Sequence, residues 1–249
     1  MFVFAVISFT ALCFVAAYVQ TITGFAFGLV VMGAAALMGL MPLTDAAVVV
    51  SLLTLVNAVM MLARGWRDIA RYPFLYSLAA SIPMVLAGYV ILMITASVSL
   101  TALRLLLGLV IIISSLQLMR RPVPYNELSS GWSFGLFAAV GGLMGGLFST
   151  AGPPLVYHFY RQPLPLVAIR ETLVAVFAAN ASFRLVLVAF EGSWNSSIPV
   201  WAAAGVPGVM AATYMARRWP PPLSPVALRR LAFVLLFLSG LSLIIPVLL

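Results

Sequence analysis

The sequence predicts an all-α, polytopic membrane protein with two inverted-topology repeats, each with one broken or re-entrant helix pair that carries a glycine-rich motif. Three observations support this fold class. Apolar residues make up 64% of the 249 residues and charged residues only 7%, whereas a soluble domain has about 25% charged residues. Apolar runs fill nearly the whole chain, and sequences on the two sides of a central polar linker resemble each other.

The apolar runs are continuous rather than alternating, which favours membrane helices and excludes a β-barrel. One crossing takes roughly 20 apolar residues, so the chain has room for about eight to ten crossings or half-crossings. Prolines at or near the breaks mark where helices end, because proline cannot continue a helix. The predicted helices lie at about 2–19, 25–41, 44–63, 73–95, 99–119, 131–148, 153–162, 165–190, 198–217 and 225–248.

Matching sequences occur in the same order on the two sides of the linker. Pro42 stands fifteen residues before Asn57, and Pro165 stands fifteen residues before Asn180. The further matches pair residues 81–85 with 205–209 and residues 99–104 with 224–229. Because chance rarely preserves the order of several matches, we interpret the chain as an internal duplication.

The linker at 122–130 separates an N-terminal membrane repeat, 1–121, from a C-terminal membrane repeat, 131–249. Arginines gather in or beside alternate loops, which the positive-inside rule places in the cytoplasm of a bacterial inner membrane. This assignment inverts the second repeat relative to the first and puts both termini in the periplasm. We therefore attribute the net charge of +8 to orientation in the membrane rather than to a nucleic-acid partner.

The least helix-like sequence of each half lies at a matching place. Residues 20–28 read Gln-Thr-Ile-Thr-Gly-Phe-Ala-Phe-Gly, and the glycine-rich stretch 141–154 ends in two prolines. We expect breaks near 20–24 and 149–152, each followed by a short helix, because glycine permits unusual backbone and proline can begin a helix. Two such helix N-termini that face each other near the midplane would bind an anion through their unpaired N–H groups.

The candidate substrate ligands are polar or glycine residues at the two breaks and polar residues at membrane depth. They are Gln20, Thr21, Thr23, Gly24, Asn57, Ser149, Thr150, Gly152, Asn180 and Arg184. Structural alternatives stand beside these roles. Small residues can serve helix packing, the asparagines can serve hydrogen bonds between helices, and the Arg184 side chain can extend to the membrane interface.

The two motifs resemble those of the TauE/SafE family of bacterial membrane proteins. The resemblance rests on residues 23–28, Thr-Gly-Phe-Ala-Phe-Gly, and 145–154, Gly-Gly-Leu-Phe-Ser-Thr-Ala-Gly-Pro-Pro. It covers nearly the whole chain, in two hydrophobic halves. The resemblance implies export of sulfite or transport of small organosulfonates.

Only Glu171 and His158 are plausible titrating groups for coupling transport to an ion, since the other four carboxylates fall in or beside loops. An anion that leaves a negative-inside cell gains about 2.3 kcal/mol per charge per 100 mV. Export therefore needs no coupling ion. The sequence favours a secondary transporter that exports a small oxyanion by alternating access, with the anionic solute and membrane lipid as partners.

We expect no cofactor, no metal site and no enzymatic activity. The alternatives are a transporter of another small solute or of a metal cation, and an intramembrane enzyme that acts on lipid phosphates. A cation transporter would need carboxylate, histidine or cysteine ligands, which are scarce here. An enzyme would need an acid, base or nucleophile cluster, and neither motif has paired carboxylates nearby.

Overall fold

A computed structural model describes residues 2–119, 125–150, 153–192 and 194–219, together with Phe237, Leu241 and Ile244. The described residues form helices and loops and contain no strand. The helices are α1 (Phe2–Thr23), α2 (Phe27–Met38), α3 (Leu43–Gly65), α4 (Arg71–Val98), α5 (Leu100–Met119), α6 (Gly131–Phe148), α7 (Pro153–Phe159), α8 (Leu166–Glu191) and α9 (Ser197–Arg218).

These nine helices agree with nine of the predicted segments to within four residues at each end. The predicted helix at 225–248 lies almost wholly outside the described residues, and so does part of the linker. Six described helices, namely α1, α3, α4, α6, α8 and α9, are long and apolar enough to cross a membrane. The chain is therefore a multi-pass membrane protein.

Helices α2 and α7 are too short to cross the bilayer. Helix α2 has 12 residues, a length of about 18 Å, against roughly 30 Å for the hydrocarbon core. Helix α7 has only 7 residues. Each follows a long helix across a break and packs against that helix, so we call α1 with α2 and α6 with α7 the two hairpins.

Two long helix pairs form much of the bundle, since α1 packs along α9 and α4 packs along α6. Gly142 and Gly146 of α6 lie directly against the backbone carbonyls of Ser81 and Val85 in α4. A side chain at either glycine would collide with that backbone. Small residues let membrane helices approach closely in this way. These two glycines therefore serve helix packing, as the structural alternative predicted.

The two breaks begin with a similar backbone. Residues 24–26 separate α1 from α2, and the described residues Ser149 and Thr150 follow α6. The first residue after each long helix is left-handed, with φ +78° at Gly24 and +54° at Ser149. Glycine adopts this backbone without strain. Ser149, and Ala26 with φ +89°, adopt it only because the surrounding structure holds them there.

Candidate functional site

The two broken segments meet at a small cavity. Its lining residues come from both breaks and from α3 and α8, namely Gln20, Ala26, Gly28, Leu29, Thr54, Gly145, Ser149, Thr150, Phe177, Asn180 and Ala181. A Cβ atom at Gly28 would lie 2.7 Å from the Ser149 carbonyl oxygen, so only glycine allows the two segments to approach this closely. The cavity measures about 20 Å³, which is room for about one water molecule.

Gln20 joins the first break to α3. Its Oε1 accepts a hydrogen bond of 3.2 Å from the N–H of Phe27, the first residue of α2. Its Nε2 donates to Asn57 Oδ1 at 2.9 Å. The N–H groups of the first helical turn have no partner within the helix and carry a partial positive charge. Gly28 and Leu29 of that turn line the cavity.

Asn57 has a hydrogen-bond partner at every polar atom of its side chain. Beside the bond from Gln20, its Nδ2 donates to Thr21 Oγ1 at 3.0 Å and to Thr213 Oγ1 at 2.8 Å. The two threonines donate in turn to the carbonyls of Ala17 and Val209. Asn57 and Thr21 lie outside the cavity lining, in a network that links α1, α3 and α9.

Thr23 and Gly24 also lie outside the cavity lining and shape the first break. The Thr23 hydroxyl is 2.7 Å from the Val19 carbonyl oxygen and 3.0 Å from that of Phe25. The Tyr160 hydroxyl donates to the Thr23 carbonyl at 2.6 Å. These bonds hold the chain reversal that places the start of α2 at the cavity.

Ser149 and Thr150 bring hydroxyl groups from the second break. Ser51 donates its hydroxyl hydrogen to the Ala47 carbonyl at 2.8 Å, so in the 2.7 Å pair between Ser51 and Ser149 the donor is Ser149. The Thr150 hydroxyl has only a long contact of 3.5 Å with the Met144 carbonyl. Its proton is therefore the more available one for a ligand. The candidate Gly152 lies outside the described residues.

Asn180 lines the cavity with an amide that is only half satisfied. Its Oδ1 accepts a hydrogen bond of 2.8 Å from Ser81 Oγ. Its Nδ2 is buried and has no hydrogen-bond partner. A buried donor without a partner costs roughly 1–3 kcal/mol, so this amide group would gain from a ligand acceptor in the cavity.

Arg184 lies one helical turn beyond Asn180 on α8 and is only 1% exposed. Its Nε donates to the Gly146 carbonyl at 3.1 Å, while Nη1 and Nη2 have no hydrogen-bond partner. The guanidinium carbon lies 5.5 Å from the centre of the Tyr89 ring. The side chain does not extend to the surface, as the interfacial alternative would require.

Glu171 lies near the start of α8, away from the cavity lining. Its side chain is 1% exposed, and its Oε1 forms a salt bridge of 3.3 Å with Arg170 Nη2. Its Oε2 has no hydrogen-bond partner. The carboxyl group packs against Gly65 at the end of α3, and its partner Arg170 packs against Gly24 of the first break.

His158 lies in α7, outside the six spanning helices, and also outside the cavity lining. Its ring stacks on Phe137 with ring centres 4.4 Å apart. Burial, with a smaller contribution from Arg161, lowers the pKa of His158 to about 4. The neutral imidazole is therefore present at pH 7, and its Nε2 accepts from Gln162 Nε2 at 3.2 Å. These contacts give His158 a packing role.

The structure thus brings Gln20, Ser149, Thr150 and Asn180 of the sequence candidates to one cavity, with Arg184 one turn away. Sequence reasoning missed Thr54, which also lines it. Thr54 precedes Asn57 by three residues, and residues at this spacing share a helix face, so tracing that face would have found it. The described residues contain no cluster of metal-binding side chains.

Known proteins resemble most of the chain. The family described as "Sulfite exporter TauE/SafE" matches residues 9–243. A protein of Cupriavidus necator named "Probable sulfite/organosulfonate exporter TauE" is 38% identical over 234 residues, covering 92% of this chain and 90% of that protein. The "Probable inner membrane transporter protein TsaS" of Comamonas testosteroni is 29% identical over 147 residues, covering 55% of this chain and 58% of that protein. No solved structure matches the chain.

Proposed function

Because the chain belongs to the TauE/SafE sulfite exporter family, we propose that it exports sulfite or a small organosulfonate across the bacterial inner membrane. The observation that carries this proposal is the set of donors at the cavity: the start of α2, the Thr150 hydroxyl and the Asn180 amide. None of the lining residues has a carboxylate. Hydrogen-bond donors at a positive helix end favour an oxyanion over a cation.

The proposed architecture has two inverted repeats, at 1–121 and 131–249, joined by a linker at 122–130. The helix pairs support it, since α1 packs along α9 and α4 along α6, and each pair takes one helix from each half. Pro83 and Pro207 lie inside the matching helices α4 and α9. With the arginine-rich loops in the cytoplasm, both termini lie in the periplasm.

The proposed mechanism is alternating access at the two hairpin tips. The cavity, at about 20 Å³, has room for about one water molecule, so an anion can bind there only when the cavity widens. The contact between Gly28 and Ser149 closes the cavity between the hairpins. Movement of one hairpin away from this contact would open the cavity to one side, and movement of the other would open it to the opposite side.

We propose that export is driven by the membrane potential without a coupling ion. Glu171 and His158 lie outside the cavity lining, so neither touches an anion bound there. A single negative charge gains about 2.3 kcal/mol per 100 mV on leaving the cell. The composition of the cavity lining also supports a transporter rather than an enzyme, since the lining residues include no acid and no histidine that could act as a base.

Efflux of labelled sulfite from proteoliposomes tests the proposal. The vesicles have an inside-negative potential and no proton or sodium gradient, and methanesulfonate serves as the organosulfonate probe. We expect efflux of at least one of the two anions that exceeds protein-free vesicles and rises with the potential. Absence of flux for both anions would contradict the proposed substrate class, and flux only with an added gradient would contradict the uncoupled mechanism.

A further inference from the structure

Arg184 is a buried charged residue that does not line the cavity. It lies beyond the lining residues Asn180 and Ala181 on α8, in the direction of Glu191 at the end of the helix. Arg184 stands four positions after Asn180, so both side chains lie on one helix face about 6 Å apart along the axis. Along α8, Arg184 therefore lies between the cavity and the Glu191 end of the helix.

The guanidinium group is fixed in place but its outer nitrogens are unused. Nε is held by the Gly146 carbonyl, and the Tyr89 ring lies beside the group. The described salt bridges include no carboxylate paired with Arg184. A buried charge without a partner is costly, whereas the two Nη groups of an arginine match the two oxygens of an oxyanion.

We propose that Arg184 forms a second anion subsite, which the exported anion occupies after it leaves the cavity. This inference rests on the proposed function. The Tyr89 hydroxyl donates to Glu191, and this bond closes the subsite toward the end of α8. With the arginine-rich loops in the cytoplasm, that end faces the periplasm, so the bond acts as the outer gate.

The first half of the chain lacks this subsite. Met61 stands four residues after Asn57 in α3, as Arg184 stands four residues after Asn180 in α8. Met61 is buried among apolar side chains. The Arg184→Met substitution therefore gives α8 the residue that α3 has at the same spacing, with a side chain of similar length and no charge.

The test measures sulfite binding and sulfite efflux in the same variants. We expect Arg184→Met to lower potential-driven efflux by about 10- to 100-fold, the loss expected for a buried charged contact, while equilibrium binding of sulfite to the purified protein changes by less than about threefold. Arg184→Lys keeps a positive charge and should restore a substantial part of the efflux. Tyr89→Phe should raise efflux, because it removes the bond to Glu191.

Three outcomes separate this inference from the proposed function. Native efflux in Arg184→Met overturns the second subsite and leaves the cavity intact as the binding site. Loss of sulfite binding in Arg184→Met also overturns it, because Arg184 would then belong to the cavity site itself. Absence of sulfite binding and efflux in the native protein means that the proposed function has failed, and this inference fails with it.

Discussion

The two halves of the chain use one helix position in opposite ways. Gln20 and Gly145 each stand four residues before the left-handed residue that ends α1 or α6, and each accepts that residue's N–H, at 2.6 and 2.8 Å. In the first half, the Gln20 side chain contacts Asn57 and the start of α2. In the second half, Gly145 has no side chain to offer, and the amide of Asn180 has a free donor.

Under the proposed duplication, this difference gives the fold one proposed binding site instead of two. In the first half, protein atoms satisfy every polar atom of the Asn57 side chain, and these hydrogen bonds join α1, α3 and α9. In the second half, the same space is left open beside a buried donor. We expect the anion to occupy, beside Gly145 and Asn180, the place that the Gln20 side chain occupies beside Asn57.

The largest expected effect comes from making the second half like the first. A Cβ atom at Gly145 would lie 3.8 Å from Val85 Cγ2 and 3.9 Å from Asn180 Nδ2, so a side chain can begin there without collision. Gly145→Gln should place an amide on Asn180 and lower sulfite efflux by about 100-fold, since it removes contacts of about 1.5–3 kcal/mol each. Efflux from proteoliposomes measures the loss.

Gly145→Ala is the matched control for that variant. Its methyl group makes only ordinary contacts and cannot reach the Asn180 amide as a glutamine can. It should keep most of the efflux and unfold near the native temperature, whereas Gly145→Gln should unfold at a somewhat lower temperature, because its side chain overpacks a cavity with room for about one water molecule. Equal loss of efflux in the two variants would mean that the glycine serves packing alone, and the contrast with Gln20 would have no functional meaning.

The asparagines provide the next contrast. Asn180→Ala should weaken sulfite binding by about 10-fold, because one hydrogen bond to the anion is lost. The change in stability should be small, because the unpaired Asn180 Nδ2 is removed and the Ser81 hydroxyl keeps the Leu78 carbonyl as an acceptor at 3.4 Å. Asn57→Ala leaves Gln20 Nε2 without its acceptor and should destabilise the protein by about 1–3 kcal/mol. Binding titrations with sulfite and thermal unfolding of both variants test this prediction. Equal effects of the two substitutions on sulfite binding would contradict it.

The sequence predicted the described helices closely because continuous apolar runs, proline and glycine determine where membrane helices begin and end. The helix at 131–148 agrees with α6 at both ends. The predicted duplication directed attention to Asn57 and Asn180 together, but it could not show that they differ. That difference depends on which atoms face each side chain, here Gln20 on one side and a glycine on the other.

Arg184 shows a similar limit. Its depth in α8 followed from counting residues before Glu191, and an intramembrane charge is a functional candidate by default. Its burial among Gly146 and Tyr89 depends on how α4, α6 and α8 pack together, which no local pattern encodes. Thr23 lies outside the cavity lining because its hydroxyl bonds to the carbonyls of Val19 and Phe25.

A smaller effect is expected at the contact between the hairpins. Gly28→Ala would place a Cβ atom 2.7 Å from the Ser149 carbonyl oxygen and should destabilise the protein by about 1–3 kcal/mol through overpacking. Gly135→Ala in α6 is the control, because its Cβ atom would lie 3.6 Å from Ala80. Thermal unfolding should separate the two variants, and equal melting temperatures would place the hairpin tips farther apart than described.

The smallest expected effect concerns the titratable groups away from the cavity. Glu171→Gln and His158→Gln should each leave potential-driven sulfite efflux within about twofold of native, because neither side chain lines the cavity and the potential alone supplies about 2.3 kcal/mol per 100 mV. With its pKa lowered to about 4, His158 stays neutral from pH 6 to pH 8. A pH-dependent loss of efflux in that range, removed by His158→Gln, would oppose this assignment.

Equilibrium binding of labelled sulfite to the purified native protein and to Gly145→Gln tests the central claim most directly. The claim is that the anion binds beside Asn180, in the space that the second half leaves open. It predicts saturable binding to the native protein and loss of that binding in Gly145→Gln, which remains folded by thermal unfolding. Undiminished sulfite binding to folded Gly145→Gln would contradict the claim and place the anion elsewhere in the bundle.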